Sequence, residues 1–150
     1  MNYLLDTNIV LIYSRESTLT ERLENKHQLF NGNNDLYISI VTVGELESIA
    51  LQRNYGKKKI EKLHHILSNF TVVDINIQEI IEKYAKIDAY SQGKLKDKPS
   101  GFSSRNMGKN DLWIAATSSV YDLILITPDQ DFNHLDREYL QLNYVDLNEL

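Results

Sequence analysis

The sequence predicts an α/β domain with a mainly parallel central sheet flanked by helices, on three observations. Short apolar runs alternate with longer stretches of helical periodicity from Tyr3 to Asp146, the pattern of a parallel sheet with helical connections. The 150 residues contain no internal repeat, low-complexity tract or linker that would divide them, so one domain spanning 1–150 is expected. The composition, 42% hydrophobic and 25% charged, is that of an ordinary globular chain.

Element by element, Tyr3 to Leu5 reads as a short buried strand, and Asn8 to Tyr13 as one or two helical turns. Thr18 to Phe30 reads as a longer helix, Leu36 to Ile40 as the next strand, and Val43 to Arg53 as a helix. After Lys57, the residues Ile60, Leu63, Ile66, Leu67 and Phe70 recur at helical spacing and mark one apolar face. Thr71 to Ile75 reads as a strand. The helix after it turns Ile77, Ile80, Ile81, Tyr84 and Ile87 inward. Gln92 to Lys109 holds three of the six glycines and one of the two prolines, and reads as a long exposed loop of the functional or mobile kind. Asp111 to Tyr121 is a helix, Leu123 to Thr127 the most β-like stretch, and Tyr144 to Asp146 a weak final strand.

Composition narrows the chemistry. The chain has no cysteine, which excludes disulfides, thiol nucleophiles and cysteine-ligated metals. No apolar run nears the roughly 20 residues of a membrane span, and Met1 to Asp6 lacks the features of a signal peptide. A cytoplasmic protein without a membrane partner is expected. The formal net charge of -5 argues against binding nucleic acid by overall attraction. It leaves open a nuclease that gathers carboxylates at its centre and takes its positive charge from bound cations.

In open parallel sheets, ligands bind beyond the carboxyl ends of the strands. Asp6 follows one strand and Asp129 lies just past Thr127, the end of another, so both should project to one edge. Four segments carry acids at or near strand ends or first helical turns: Leu5-Asp6-Thr7-Asn8, Thr42-Val43-Gly44-Glu45-Leu46, Lys109-Asn110-Asp111-Leu112-Trp113 and Thr127-Pro128-Asp129-Gln130-Asp131-Phe132. Carboxylates that converge repel one another and lose hydration, a cost that a hard divalent cation offsets. Magnesium suits such a set, and paired metals can activate water and stabilise the leaving oxygen in phosphodiester hydrolysis.

These four segments, in this order, resemble the acidic signature of PIN-domain ribonucleases, especially the VapC-type toxins of bacterial toxin–antitoxin pairs. Asp6-Thr7-Asn8 matches the N-terminal motif, Glu45 the second acidic position, and Asn110 to Thr117 gives the strongest match. The likeness runs from about residue 2 to residue 135. It implies a three-layer PIN-like fold and an endoribonuclease dependent on Mg2+ or Mn2+. Asp6, Glu45 and Asp111 would be metal ligands and catalytic residues. Asp129 is favoured as the fourth acid for its nearness to the strand end, with Asp131 the second candidate. Asn8 and Thr127 would support the carboxylates by hydrogen bonds. The resemblance further implies cleavage by a metal-activated water to leave a 5′-phosphate and a 3′-hydroxyl, a cognate antitoxin and a homodimer.

Each acid also has a purely structural reading. Asp6 suits a helix cap, and Thr42-Val43-Gly44-Glu45 has the spacing of a capping box. Asn110 suits an N-cap with Asp111 in the first turn, and Asp129 and Asp131 suit a Pro-Asp turn. Trp113 to Ala116 reads as packing. His64 and His65 are adjacent and cannot form a zinc pair on one helix face, and neither His27 nor His134 lies in a motif. Lys57-Lys58-Lys59 reads as a solvated face, as do Lys94, Lys96 and Lys98. Arg105 and Lys109, just before Asp111, are candidates for RNA phosphates. The competing functions are a non-catalytic PIN-like module that binds RNA or protein, a DNA-directed nuclease with the same acids, and a phosphatase. A receiver domain is disfavoured, because Tyr3-Leu4-Leu5-Asp6 supplies no paired acidic motif.

Overall fold

The computed structural model describes residues 1–150. Five strands form one sheet: β1 (Asn2–Leu5), β2 (Asp35–Ser39), β3 (Thr71–Val73), β4 (Ile124–Thr127) and β5 (Gln141–Tyr144). Their order is β3-β2-β1-β4-β5, and every neighbouring pair is parallel. Six α-helices connect them: α1 (Thr7–Arg15), α2 (Thr18–His27), α3 (Ile40–Gln52), α4 (Lys57–Leu67), α5 (Gln78–Ser91) and α6 (Lys109–Tyr121). Two 3-10 helices, Gln130–Leu135 and Leu147–Glu149, flank β5. No helix is long and apolar enough to cross a membrane.

The strands read as continuous apolar runs because both sheet faces are covered. Along β1, Tyr3 and Leu5 join a core built with Ile9, Leu23, Leu46 and Leu63 from α1 to α4. Leu4 joins the opposite core, with Ile80 and Ile87 of α5 and Ile114 and Ala115 of α6. The strand's period of two thus feeds two helical layers, and the fully buried Leu4 and Leu5 each contribute about 2 kcal/mol by leaving water.

Chain order positions the site. From β1 the chain moves outward to β2 and β3, then returns to lay β4 on the other side of β1. The carboxyl ends of β1 and β4 therefore flank the point where connectivity reverses, which opens a crevice at that edge. Leu5 pairs with Ile126, and the main-chain N–H of Asp6 donates to Ile126 O at 3.0 Å, so Asp6 lies beside Thr127.

Several boundaries differ from the sequence expectations for local reasons. α2 stops at His27 because Gln28 turns left-handed (φ 49), and the Phe30 N–H donates instead to the Glu24 carboxylate at 2.9 Å. β3 ends before Ile75 because Asp74 accepts from the backbone N–H groups of Ile75 and Asn76, forming a turn. Ile81 is exposed on the outer face of α5 rather than turned inward. The final strand is Gln141–Tyr144, earlier than Tyr144 to Asp146. Its polar composition suits a half-exposed edge, which hides it from an apolar pattern. The segment from Gln92 to Gly108 is non-helical as expected, but it is tied down. Lys98 bonds Glu138 at 3.0 Å and lies over the Tyr139 ring, Met107 is buried, and the Arg105 N–H donates to Ser91 O.

Candidate metal centre

Asp6 directly follows β1 and caps α1, so one residue fulfils both the local and the clustered reading. Its Oδ1 accepts from the Thr7 N–H at 2.7 Å, and its Oδ2 accepts from the Thr127 hydroxyl at 2.7 Å. It is 3% exposed. Burial pushes its carboxyl up to about 6; these two hydrogen bonds pull the other way, while Asp129 and Glu45 add repulsion.

Thr127 does more than close β4. The same hydroxyl oxygen that donates to Asp6 accepts the Asp129 N–H at 3.0 Å. Asp129 in turn caps the 3-10 helix, its Oδ1 accepting from the Asp131 N–H at 2.9 Å. The Pro-Asp turn is thus real, and it aims two acids at one place. Carboxylate oxygens of Asp111, Asp129 and Asp131 lie within 4.8 Å of one another. Asp129, the favoured fourth acid, and Asp131, the second candidate, both belong to this cluster.

Asp111 stands in the first turn of α6, whose N-cap is Gly108 rather than Asn110. Burial first, then repulsion from Asp6, Asp129, Glu45 and Asp131, pushes its carboxyl up to about 7. No lysine, arginine or histidine forms an ion pair with any acid of the cluster; the chain's ion pairs are Lys62–Glu16, His64–Glu47 and Lys98–Glu138. Hard oxygen donors gathered without a protein cation fit a divalent metal.

Glu45 does not form a capping box. Helix α3 begins at Ile40 behind the Ser39 cap, which places Thr42 and Glu45 inside it. Glu45 Oε1 instead accepts from the Thr7 hydroxyl at 2.9 Å, and Thr42, 3.0 Å from Thr7, donates to that hydroxyl. Thr7 and Thr42, both buried, are site residues that sequence reasoning missed. Their one available signal was position: Thr7 follows Asp6, and Thr42 lies one helical turn before Glu45.

The remaining candidates stand at the margin. Asn8 is exposed on α1 beside Asp129 and bonds none of the carboxylates. Lys109 opens α6, exposed and without an acidic partner. Arg105 is exposed, with its guanidinium 5.8 Å from the Phe102 ring centroid. His134 is a packing residue, with Nε2 2.8 Å from Ser91 Oγ and the ring among Tyr90 and Phe102. Burial, then Arg105, holds it below the usual histidine range. Trp113 packs on Tyr84 at 4.2 Å between centroids, and Ile114 to Ala116 are fully buried.

Three comparisons bear on this arrangement. The PIN-domain family model matches residues 3–138. Ribonuclease VapC2 of Haemophilus influenzae is 30% identical over 129 residues, which is 85% of this chain and 86% of the relative. Among solved structures, VapBC2 from Rickettsia felis bound to a promoter DNA fragment superposes with a TM-score of 0.75 at 22% identity, covering 97% of this chain and 100% of that one. VapBC-1 from nontypeable Haemophilus influenzae gives 0.70 at 24% identity, covering 96% and 98%. Both structures share this fold.

Proposed function

The chain belongs to the PIN-domain family, and from that premise we propose that it is a Mg2+- or Mn2+-dependent endoribonuclease, the toxin of a toxin–antitoxin pair. The observation that carries the reading is the convergence of Asp111, Asp129 and Asp131 beside the buried Asp6, with no protein cation among them. The likeness to a ribonuclease supports RNA as substrate, and the likeness to structures of VapBC, a family of toxin–antitoxin systems, supports an antitoxin partner. A homodimer belongs to the same reading.

Asp6, Asp111 and Asp129 would hold the metal, with Glu45 and Asp131 completing the acidic ring. When bound, the divalent ion supplies an activated water and neutralises charge on the scissile phosphate. The chain's own residues do the positioning. Thr127 sets the distance between Asp6 and Asp129 through one hydroxyl, and the Thr42–Thr7 pair directs Glu45 toward the cluster. Asp111 and Asp6 give up protons near neutrality, so both are ready to exchange a proton for a metal. Arg105 precedes α6 and Lys109 opens it, where they would meet phosphates of the bound strand.

The test is cleavage of structured RNA and matched DNA by purified protein with magnesium, with manganese and with chelator. Metal-dependent loss of RNA alone is expected, leaving 5′-phosphate and 3′-hydroxyl ends. Asp6→Asn or Asp111→Asn should abolish it; unchanged rates in either would sink the mechanism. RNA bound but uncut in every metal would instead mark a binding module. Size measurement with and without the product of an adjacent small gene tests the partner and the dimer.

A further inference from the structure

We propose that a cationic pocket at the far end of α1 grips backbone phosphates of the RNA strand, some nucleotides away from the bond that is cut. The proposal rests on the ribonuclease reading above. Arg15 from the end of α1, Arg53 and Tyr55 from the α3–α4 turn, and Lys59 and Lys62 from α4 line one cavity of about 330 Å³. Four of the 16 lysines and arginines of an acidic chain thus converge from separate elements on one concavity. A run such as Lys57-Lys58-Lys59 read along the sequence gives only a solvated face; the fold turns Lys59 toward Arg15 and Arg53.

The charge there is largely uncompensated. Lys62 lies 3.4 Å from Glu16, while Arg15, Arg53 and Lys59 have no acidic partner. Lys59 Nζ stands 5.3 Å from the centroid of the Tyr55 ring, which sets an aromatic face among the cations. Forked guanidinium donors match phosphate oxygens, and an aromatic ring among them offers a surface on which a base stacks. An acidic peptide would use the guanidinium groups and leave the ring idle.

A second cavity lies between this pocket and Asp129: Asn8, Leu11, Ile12, Pro128 and Asp129 line it, and Arg15 lines both cavities. Asn8, Leu11, Ile12 and Arg15 recur at helical spacing and share one face of α1. From Thr7 to Arg15 the helix rises about 12 Å. At roughly 3.4 Å per stacked nucleotide, a strand with one phosphate at the carboxylates reaches Arg15 about four nucleotides later.

The test pairs Arg53→Gln/Lys59→Gln with a control, Lys26→Gln/Lys86→Gln, that removes the same charge from exposed sites elsewhere. Binding of a labelled single-stranded RNA of roughly 20 nucleotides is read by anisotropy in the Asp111→Asn background across a salt series, and cleavage in the otherwise native protein. The pocket variant should bind about tenfold more weakly near 0.15 M salt, and its salt slope should flatten by about 1.4. The control should keep most of its affinity. Circular dichroism of both variants confirms folding. If the native protein cleaves RNA while pocket variant and control bind and cleave alike, the pocket proposal falls and the ribonuclease reading stands. If the native site binds but never cuts, and the pocket variant loses binding, the ribonuclease reading falls and the pocket stands. Direct binding of a labelled polyglutamate peptide that is lost in the pocket variant, together with unchanged RNA affinity in that variant, would overturn the proposal and assign the pocket to acidic peptides.

Discussion

Replacing Asp6 with asparagine should stabilise the metal-free protein while removing its metal response. Asp6 is 3% exposed, and its carboxyl is held at about 6 instead of 3.8. That difference means ionised Asp6 costs the folded chain about 3 kcal/mol. Below about pH 4 the group is protonated in both folded and unfolded chains, and the penalty is absent. It grows as pH rises toward 6, where the unfolded chain has released a proton that the folded chain still holds, and is complete above. Asparagine keeps the acceptor for the Thr7 N–H but strands the Thr127 hydroxyl, a loss of about 1 kcal/mol. The net gain at pH 8 in chelator is about 2 kcal/mol, or roughly 4–8 °C in Tm for a chain of this size. The assay is thermal unfolding of both proteins at pH 8 and pH 4.5, in chelator and then with manganese. The advantage should shrink or reverse at the lower pH, and manganese should raise Tm of the native protein well above that of the variant. An asparagine variant no more stable than native at pH 8 in chelator would show that the buried charge of Asp6 costs the fold nothing. So would a difference independent of pH.

Three further outcomes follow from the same geometry. Manganese affinity, measured by calorimetry, should weaken as pH falls from 8 to 6, by up to tenfold per unit for each proton displaced, because Asp111 at about 7 and Asp6 at about 6 take up protons in that window; constant affinity across it would contradict the assignment. Thr127→Val, which removes the bridge between Asp6 and Asp129, should lower metal affinity about 10–100-fold, whereas Thr127→Ser should retain most of it. Leu4→Ala and Leu5→Ala, on opposite sheet faces, should each cost about 2–5 kcal/mol in urea unfolding, because both side chains are fully buried between layers.

How much of the site was legible depended on how local each signal was. Asp6 at the end of an apolar run and Asp111 at the head of a helical one could be placed from neighbouring residues alone. Glu45 was ambiguous because its spacing from Thr42 fits a capping box equally well; helix α3 starting at Ile40 removes that reading. Thr7 and Thr42 were illegible because hydroxyl partners 35 residues apart leave no periodic trace. Asn110 suited an N-cap by type, yet α6 starts two residues earlier than Asp111, at Lys109, and uses Gly108.

The sequence by itself determined the alternation of elements, the buried sheet and the positions of the acids along the chain. Those properties come from periodicity and residue type, which act over a few neighbours. Only the tertiary structure decided which acids meet. Asp129 and Asp131 both reach Asp111 because a 3-10 turn follows β4, and Asp6 comes near enough to repel Asp111 and Asp129 because β1 and β4 pair in a register that sets it beside Thr127. The raised carboxyls of Asp6 and Asp111 have the same origin: burial and mutual repulsion exist only once distant segments are brought within a few ångströms.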